Sequence, residues 1–308
     1  MDRRNRSNRQ GFRRKCIQLV SALLYNANLS GFASGSIYKG QTKGLCVPGL
    51  NCYSCPGAVA SCPLGALQNA LSAMPNKLPL YIAGALLLMG LALGRLICGF
   101  LCPFGLIQEL LHKIPGRKIK KGRWSRRLSW LKYAVLAMFV VALPLWYAYA
   151  QGLPVPAFCK YICPAGTLEG GLPLLALRPE YRALAGWLFT WKAALCAAIL
   201  LACVFLYRAF CRFLCPLGAI YSLFSRVALL AFRVDGGKCD GCGLCVRRCP
   251  MDVERVGDRE CIQCGSCRQI CPRGAIYFGW ERSKSHEDKS TVPGPAAGPG
   301  APAGGVPE

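Results

Sequence analysis

Eight cysteines between Lys238 and Gly274 carry the spacing of iron–sulfur ligands. Cys239, Cys242, Cys245 and Cys249 read C-x2-C-x2-C-x3-C and end on Pro250; Cys261, Cys264, Cys267 and Cys271 repeat the pattern and end on Pro272. Three thiolates at this spacing wrap one corner of a cubane, and the fourth of each run reaches across to the other cluster. The pattern predicts two 4Fe–4S clusters. Cys239, Cys242, Cys245 and Cys271 hold one; Cys261, Cys264, Cys267 and Cys249 hold the second. Structural zinc is the competing chemistry, but zinc knuckles pair two C-x2-C units across a longer insert, and here three cysteines crowd together twice. Gly241, Gly243 and Gly265 suit a backbone bending tightly around sulfur.

A second constellation repeats within the chain. GRLICGFLCPFGLI from Gly94 aligns without gaps with YRAFCRFLCPLGAI from Tyr207, so that Arg95, Cys98, Cys102, Pro103 and Gly105 match Arg208, Cys211, Cys215, Pro216 and Gly218. Each C-x3-C-P follows an apolar stretch, and its proline favours the start of a new helix, whose N-terminal dipole stabilises a thiolate or an anionic cluster. Brought together by pseudo-symmetry, Cys98, Cys102, Cys211 and Cys215 would make a further four-thiolate site. The plainer alternative is a pair of buried small residues in a turn.

A second, looser echo lies in the outer loops. Cys62-Pro63-Leu64-Gly65 resembles Cys163-Pro164-Ala165-Gly166, and Cys159 completes one C-x3-C pair, but Ala58 stands where its counterpart would be and Cys55 is displaced. With Cys46 and Cys52 these make six cysteines open to cluster binding, disulfide formation or both. Cys196 and Cys203, seven apart on one apolar segment, read as packing residues, and Cys16 has no evident partner.

The elements that must position these groups are apolar. Hydrophobic residues make up 53% of the 308 and charged residues 17%, so a membrane protein is indicated. Four spans are expected, at Cys16–Ile37, Pro79–Ile97, Ser129–Ala150 and Gly186–Arg208. The first also admits a signal-peptide reading, but it lacks a clear cleavage site. Trp130, Trp146, Tyr147 and Trp187 sit near span ends, as interfacial aromatics do, and Lys192 is placed to snorkel. Basic residues crowd the N-terminus and the stretch Lys113–Lys132, whereas the loops Tyr38–Lys77 and Gln151–Arg182 hold few, which puts both termini on the cytoplasmic side of a bacterial inner membrane.

The expected fold class is mainly α: a four-helix integral membrane domain with a small α+β two-cluster ferredoxin-like domain at the C-terminus. Its parts are a basic N-terminus (1–15), the four-span domain with two pseudo-repeats (16–232), the ferredoxin-type domain (233–281) and a disordered Pro-, Ala- and Gly-rich tail (282–308). The excess of 38 Lys and Arg over 14 acidic residues is explained by membrane flanks and anionic clusters, so nucleic acid is not expected as a partner. Two histidines, His112 and His286, exclude a core of paired histidine-ligated haems.

The stretches LCVPGLNCYSCPGAVASCPLGALQ, CGFLCPFGLIQELLHKIP and CRFLCPLGA, followed by the paired cluster motif, resemble the polytopic 4Fe–4S binding protein family, which includes the NapH-type quinol dehydrogenase subunit and NosR- and CcoG-like relatives. The resemblance runs from about Lys39 to Gly279. It implies a membrane component taking electrons from a quinol or a cytoplasmic donor to a redox partner protein. A cofactor-maturation or metal-handling factor and a redox sensor are the alternatives built on the same clusters. For quinol chemistry the segment FGLIQELLHKI offers Glu109 and His112, although it reads more simply as an amphipathic interfacial helix with a solvated polar face.

Overall fold

The computed structural model describes residues 3–73, 80–119 and 122–280. The chain is mainly helical. Among the described residues, two helices are long and apolar enough to cross a membrane, Arg123–Gln151 and Trp187–Phe205. Both leave most of their apolar surface uncovered: Trp124, Met138, Trp146, Trp187 and Leu201 are all exposed. Apolar area of that extent on a helix calls for lipid or another apolar partner. Within the first, Leu136–Ala142 is wound as a π-helix immediately before Pro144, which has no N–H to donate and would clash with the carbonyl four residues earlier in a regular helix.

The other two expected spans are shorter than their sequence limits. The first helix runs Arg3–Tyr25 and stops at Asn26–Asn28, and the chain resumes as Leu29–Ser34. The asparagines end it. Asn26 Nδ2 donates to Ala22 O within the helix and to Asn51 Oδ1, and Asn28 Nδ2 donates to Pro56 O, so the asparagines tie the chain to the loop around 51–56 where the helix would otherwise continue. The second is Leu80–Ala92, thirteen residues, about 20 Å of helix against about 30 Å of hydrocarbon. Gly94, at φ 49°, turns the chain into the short helix Leu96–Phe100. The Pro-, Ala- and Gly-rich tail expected at 282–308 lies outside the described residues.

The ferredoxin-type module closes on an antiparallel pair, β1 (Ala231–Val234) and β2 (Ile276–Gly279), with Ala231 opposite Gly279 and Val234 opposite Ile276. It is docked on the helices by buried and part-buried ion pairs in which the helical part supplies the cations. Glu260 meets Lys132 Nζ at 2.7 Å and Arg95 Nη1 at 3.3 Å; Asp252 pairs with Arg212, and Asp258 with Arg126 at 3.3 Å. The basic residues Arg126 and Lys132, expected as a membrane flank, thus also grip the module. A Cβ on Gly99 would come within 2.3 Å of Ile262 O, so only glycine permits this approach.

Candidate iron–sulfur centres

In the ferredoxin module, Gly243 (φ 68°) opens the short helix Leu244–Arg247 and Gly265 (φ 75°) opens Ser266–Ile270, one beside each run of cysteines. The two halves differ at the residue before the second cysteine. Gly241 sits at φ 72°, while its counterpart Gln263 takes φ 53° despite having a side chain, and its Oε1 accepts a 2.7 Å hydrogen bond from Phe232 N. Cys245, Cys249, Cys261, Cys264 and Cys267 line one cavity. These include the four cysteines assigned to the second cluster from spacing. Cys239 and Cys242 are exposed and close enough to Cys245 to raise its thiol pKa, after burial.

The two C-x3-C-P pairs meet. Cys98, Cys102, Cys211 and Cys215 are all buried and line a single small chamber with Leu50 and Tyr221. Each pair is built alike. Cys98 lies on the helix Leu96–Phe100 and Cys211 on Ala209–Phe213. A tight turn follows, with Cys102 N bonded to Ile97 O at 3.1 Å and Cys215 N to Phe210 O at 2.9 Å. The second cysteine then caps a helix that begins with proline, Pro103–Leu111 or Pro216–Leu223. Gly218 N donates to Cys215 Sγ at 3.3 Å, and the Gly105 amide favours the Cys102 thiolate in the same way.

Each repeat reaches into the other. The Arg208 guanidinium stands 3.1 Å from where a Cβ on Gly105 would be, and Arg95 Nη2 stands 3.5 Å from the same point on Gly218. Gln108 crosses between repeats, donating from Nε2 to Cys211 Sγ at 3.0 Å. Burial pushes the Cys102 thiol up to about 12 and the Cys215 thiol well above its ordinary range, and the neighbouring cysteine sulfurs add to both. Four thiolates in so dry a chamber require a cationic centre to hold them ionised.

Iron–sulfur clusters fit these residues on three observations. Arg95 Nε and Nη2 are buried donors without a partner, and Gln263 Nε2 is another, on the wall of the ferredoxin cavity; sulfur of an anionic cluster would satisfy both sites. Arg208 Nη2 lies 2.6 Å from Glu109 Oε1 yet off the hydrogen-bond line, so it counts as an ion pair with a free N–H. Among the described residues no three His, Cys, Asp or Glu side chains converge closely enough to share one metal ion. Sulfurs about 2.3 Å from a zinc would lie within about 4 Å of each other, whereas a cube holds them farther apart.

The reading of Glu109 as a solvated surface group is overturned. It is 4% exposed and clamped by Arg14 at 2.5 Å, by Arg208 at 2.6 Å and by the Tyr207 hydroxyl at 2.8 Å. Burial raises its pKa, but the two guanidiniums and the phenol overcome this and hold it at about 2. It is therefore ionised throughout the physiological range and takes no proton from a quinol. Because the folded value lies below the ordinary 4.5, the clamp stabilises fully above that pH and is lost as pH falls towards 2. We expect Glu109→Gln to cost on the order of 3 kcal/mol at pH 7. The gap between the thermal melts of wild type and variant should narrow from about pH 4.5 downwards and close only at about pH 2 or below; a constant gap between them would contradict the clamp. His112 is half-buried, with Nδ1 3.2 Å from Cys203 O and its ring edge-on to Tyr207.

Between the spans, Cys52, Cys62, Cys159 and Cys163 draw together. Cys159 and Cys163 each have both Cys52 and Cys62 as charged neighbours, and burial pushes Cys52 and Cys159 up to about 12. Cys46 and Cys55 flank this group. Lys192, expected only to snorkel, donates to Cys159 O at 3.1 Å, and Glu169 Oε2 accepts from Cys52 N at 2.7 Å. Cys196 and Cys203 pack as expected, against Pro164 O and Gln108 Oε1.

A chain of helices carrying paired thiols, with a twofold-repeated cluster motif docked on them, has the make-up of an iron–sulfur protein. Comparison with known sequences agrees. A 4Fe–4S binding domain family matches residues 78–122, 132–172 and 187–234, and each match contains one C-x3-C-P; a second 4Fe–4S binding domain family matches 232–254 and 256–277. The chain is 30% identical over 212 residues to uncharacterized protein MJ0750 of Methanocaldococcus jannaschii, covering 65% of this chain and 78% of that one. It is 29% identical to MJ0749 of the same organism (60% of this chain, 64% of that one) and 27% identical to the putative electron transport protein YccM of Escherichia coli (64% and 55%). It thus spans less than two thirds of the length of two of these relatives. No solved structure matches. The chain belongs to the 4Fe–4S binding protein family expected from its C-x3-C-P motifs and paired cluster motif.

Proposed function

We propose that this chain is a multi-pass inner-membrane relay. In this reading it takes electrons at a cytoplasmic two-cluster module and carries them into the membrane part, for a redox partner protein. The ligands are Cys239, Cys242, Cys245 and Cys271 for one cluster, Cys249, Cys261, Cys264 and Cys267 for the second, and Cys98, Cys102, Cys211 and Cys215 for a third. Bound clusters supply one-electron oxidation and reduction. The chain's own part is to bury and orient the thiols, to set cationic arginines beside them and to hold the module against the helices.

The observation that carries this reading is the common chamber of the two C-x3-C-P pairs, set against the docked module. Arg95 ties the two together: it lies beside Cys98 and Cys211 and also bonds to Arg259 O and Glu260. The exposed apolar surface of Arg123–Gln151 and Trp187–Phe205 supports the membrane placement, and the basic flank 113–132 supports a cytoplasmic module. Four spans require the short Leu80–Ala92 helix and the broken N-terminal helix to enter the bilayer as well.

The test is iron and acid-labile sulfide analysis, with electron paramagnetic resonance, on anaerobically purified full-length protein. Cys249→Ser and Cys271→Ser should each remove about four irons and each quench a different ferredoxin-type signal. Colourless protein with zinc at these cysteines would end the proposal.

A further inference from the structure

The inner chamber has a counterpart built by the same device. Cys62 and Cys163 each precede proline at the start of a helical stretch, as Cys102 and Cys215 do, and each has the amide of the glycine three residues on, Gly65 or Gly166, directed at its sulfur. Cys159 lies on the five-residue helix Ala157–Tyr161, and Cys163 N bonds to Phe158 O at 3.0 Å, repeating the turn seen at Cys102 and Cys215.

The glutamine bridge is duplicated too. Gln68 stands six residues after Cys62 as Gln108 stands six after Cys102. Gln68 Nε2 donates to Cys159 Sγ at 3.3 Å, and its Oε1 accepts from Phe158 N at 2.9 Å; Gln108 serves Cys211 in the same manner. Both glutamines are fully buried. The missing fourth thiol is supplied out of register. A Cβ on Gly166 would stand 3.8 Å from Cys52 Sγ, 4.0 Å from Cys163 Sγ and 3.8 Å from Lys192 Nζ. Lys192 thus brings a cation to this group, as Arg95 and Arg208 do to the inner chamber.

From this duplication we propose that Cys52, Cys62, Cys159 and Cys163 hold a further 4Fe–4S cluster, one step beyond the inner chamber from the ferredoxin module. The proposal rests on the reading of the inner chamber as a cluster site. The order of the sites follows from the chain. Leu50 lines the inner chamber and Cys52 is two residues on, a reach of at most about 7 Å. Tyr221, which lines the inner chamber with Cys98, Cys102 and Cys215, also has Cys62 as a neighbour. Gly99, beside the inner chamber, touches the ferredoxin module instead. One electron enters from a cytoplasmic donor, and one leaves to an acceptor protein on the opposite face.

The experiment uses the full chain, purified anaerobically in detergent. Cys159→Ala/Cys163→Ala should lose about four irons and one paramagnetic signal, and keep the ferredoxin signals. Gln68→Leu, which leaves every thiol in place, should retain all iron and shift the midpoint potential of that one signal, since hydrogen bonds to sulfur tune it. In wild type the four cysteines should resist maleimide until the iron is chelated. Full iron in the double variant, a disulfide among the four in wild type, or a single copper or zinc ion bound there would each overturn the site. Absence of the ferredoxin signals from wild type would instead strike the proposed function.

Discussion

Replacing Cys98 and Cys102 together by alanine should remove about four irons per chain and leave the ferredoxin module reducible but unable to pass electrons onward. The chamber explains why the effect is so large. All four of its thiols are buried, and two of them come from each repeat, so half a site cannot close around a cube. Reduced by dithionite, the variant should show the module's signals unchanged, while electron delivery from the module to an external acceptor falls to background. Gln108→Leu is the milder companion. It removes the hydrogen bond to Cys211 Sγ and should lower the potential of that centre without loss of iron. If Cys98, Cys102, Cys211 and Cys215 can each be replaced with iron and electron delivery intact, the chamber is a packing feature.

How far the sequence reaches is set by where a residue's partners lie. The grouping of the ferredoxin-type cysteines is legible because their spacing is local: Cys261, Cys264 and Cys267 fall within seven residues and border one cavity. The chamber was legible because its repeats align in register, Arg95 with Arg208 and Cys98 with Cys211. Cys52 was not singled out, since it replaces a ligand that register would put at Ala58. The signal that could have found that site was Gln68, six residues after Cys62, echoing Gln108. Glu109 was misread because its partners are 95 and 99 residues away, Arg14 and Arg208, and helical periodicity sees neither. Span limits failed where polar side chains or a positive-φ glycine end a helix inside an apolar run, at Asn26–Asn28 and Gly94.

Removing the Glu260 carboxylate should undock the ferredoxin module. Glu260, Arg95 and Lys132 are at most 1% exposed, and two cations share the one acid. Losing the acid strands both charges in a dry interface, and breaking a buried pair this way costs about 3–5 kcal/mol. Glu260→Ala should therefore lower the melting temperature and open the segment between Ser225 and Ala231 to protease, while the exposed pair of Arg126 with Glu254, tested by Glu254→Ala, should cost less than about 1 kcal/mol. Salt separates the two, because a screened surface pair weakens at high ionic strength and the buried triad does not. The sign with pH is also fixed. Burial raises the Glu260 carboxyl pKa, but Arg95 and Lys132 outweigh it and hold the carboxyl below its ordinary 4.5, so docking is intact above that value and weakens as pH falls below it. A triple change, Arg95→Met/Lys132→Met/Glu260→Leu, distinguishes scaffold from electron path. Apolar replacement should restore docking, since matched hydrophobic groups often equal a buried ion pair. It should nevertheless shift the potential of the inner centre, because Arg95 also stands beside Cys98 and Cys211. Unchanged melting and protease resistance in Glu260→Ala would mean that the remaining contacts, Arg212 with Asp252 foremost, hold the module unaided.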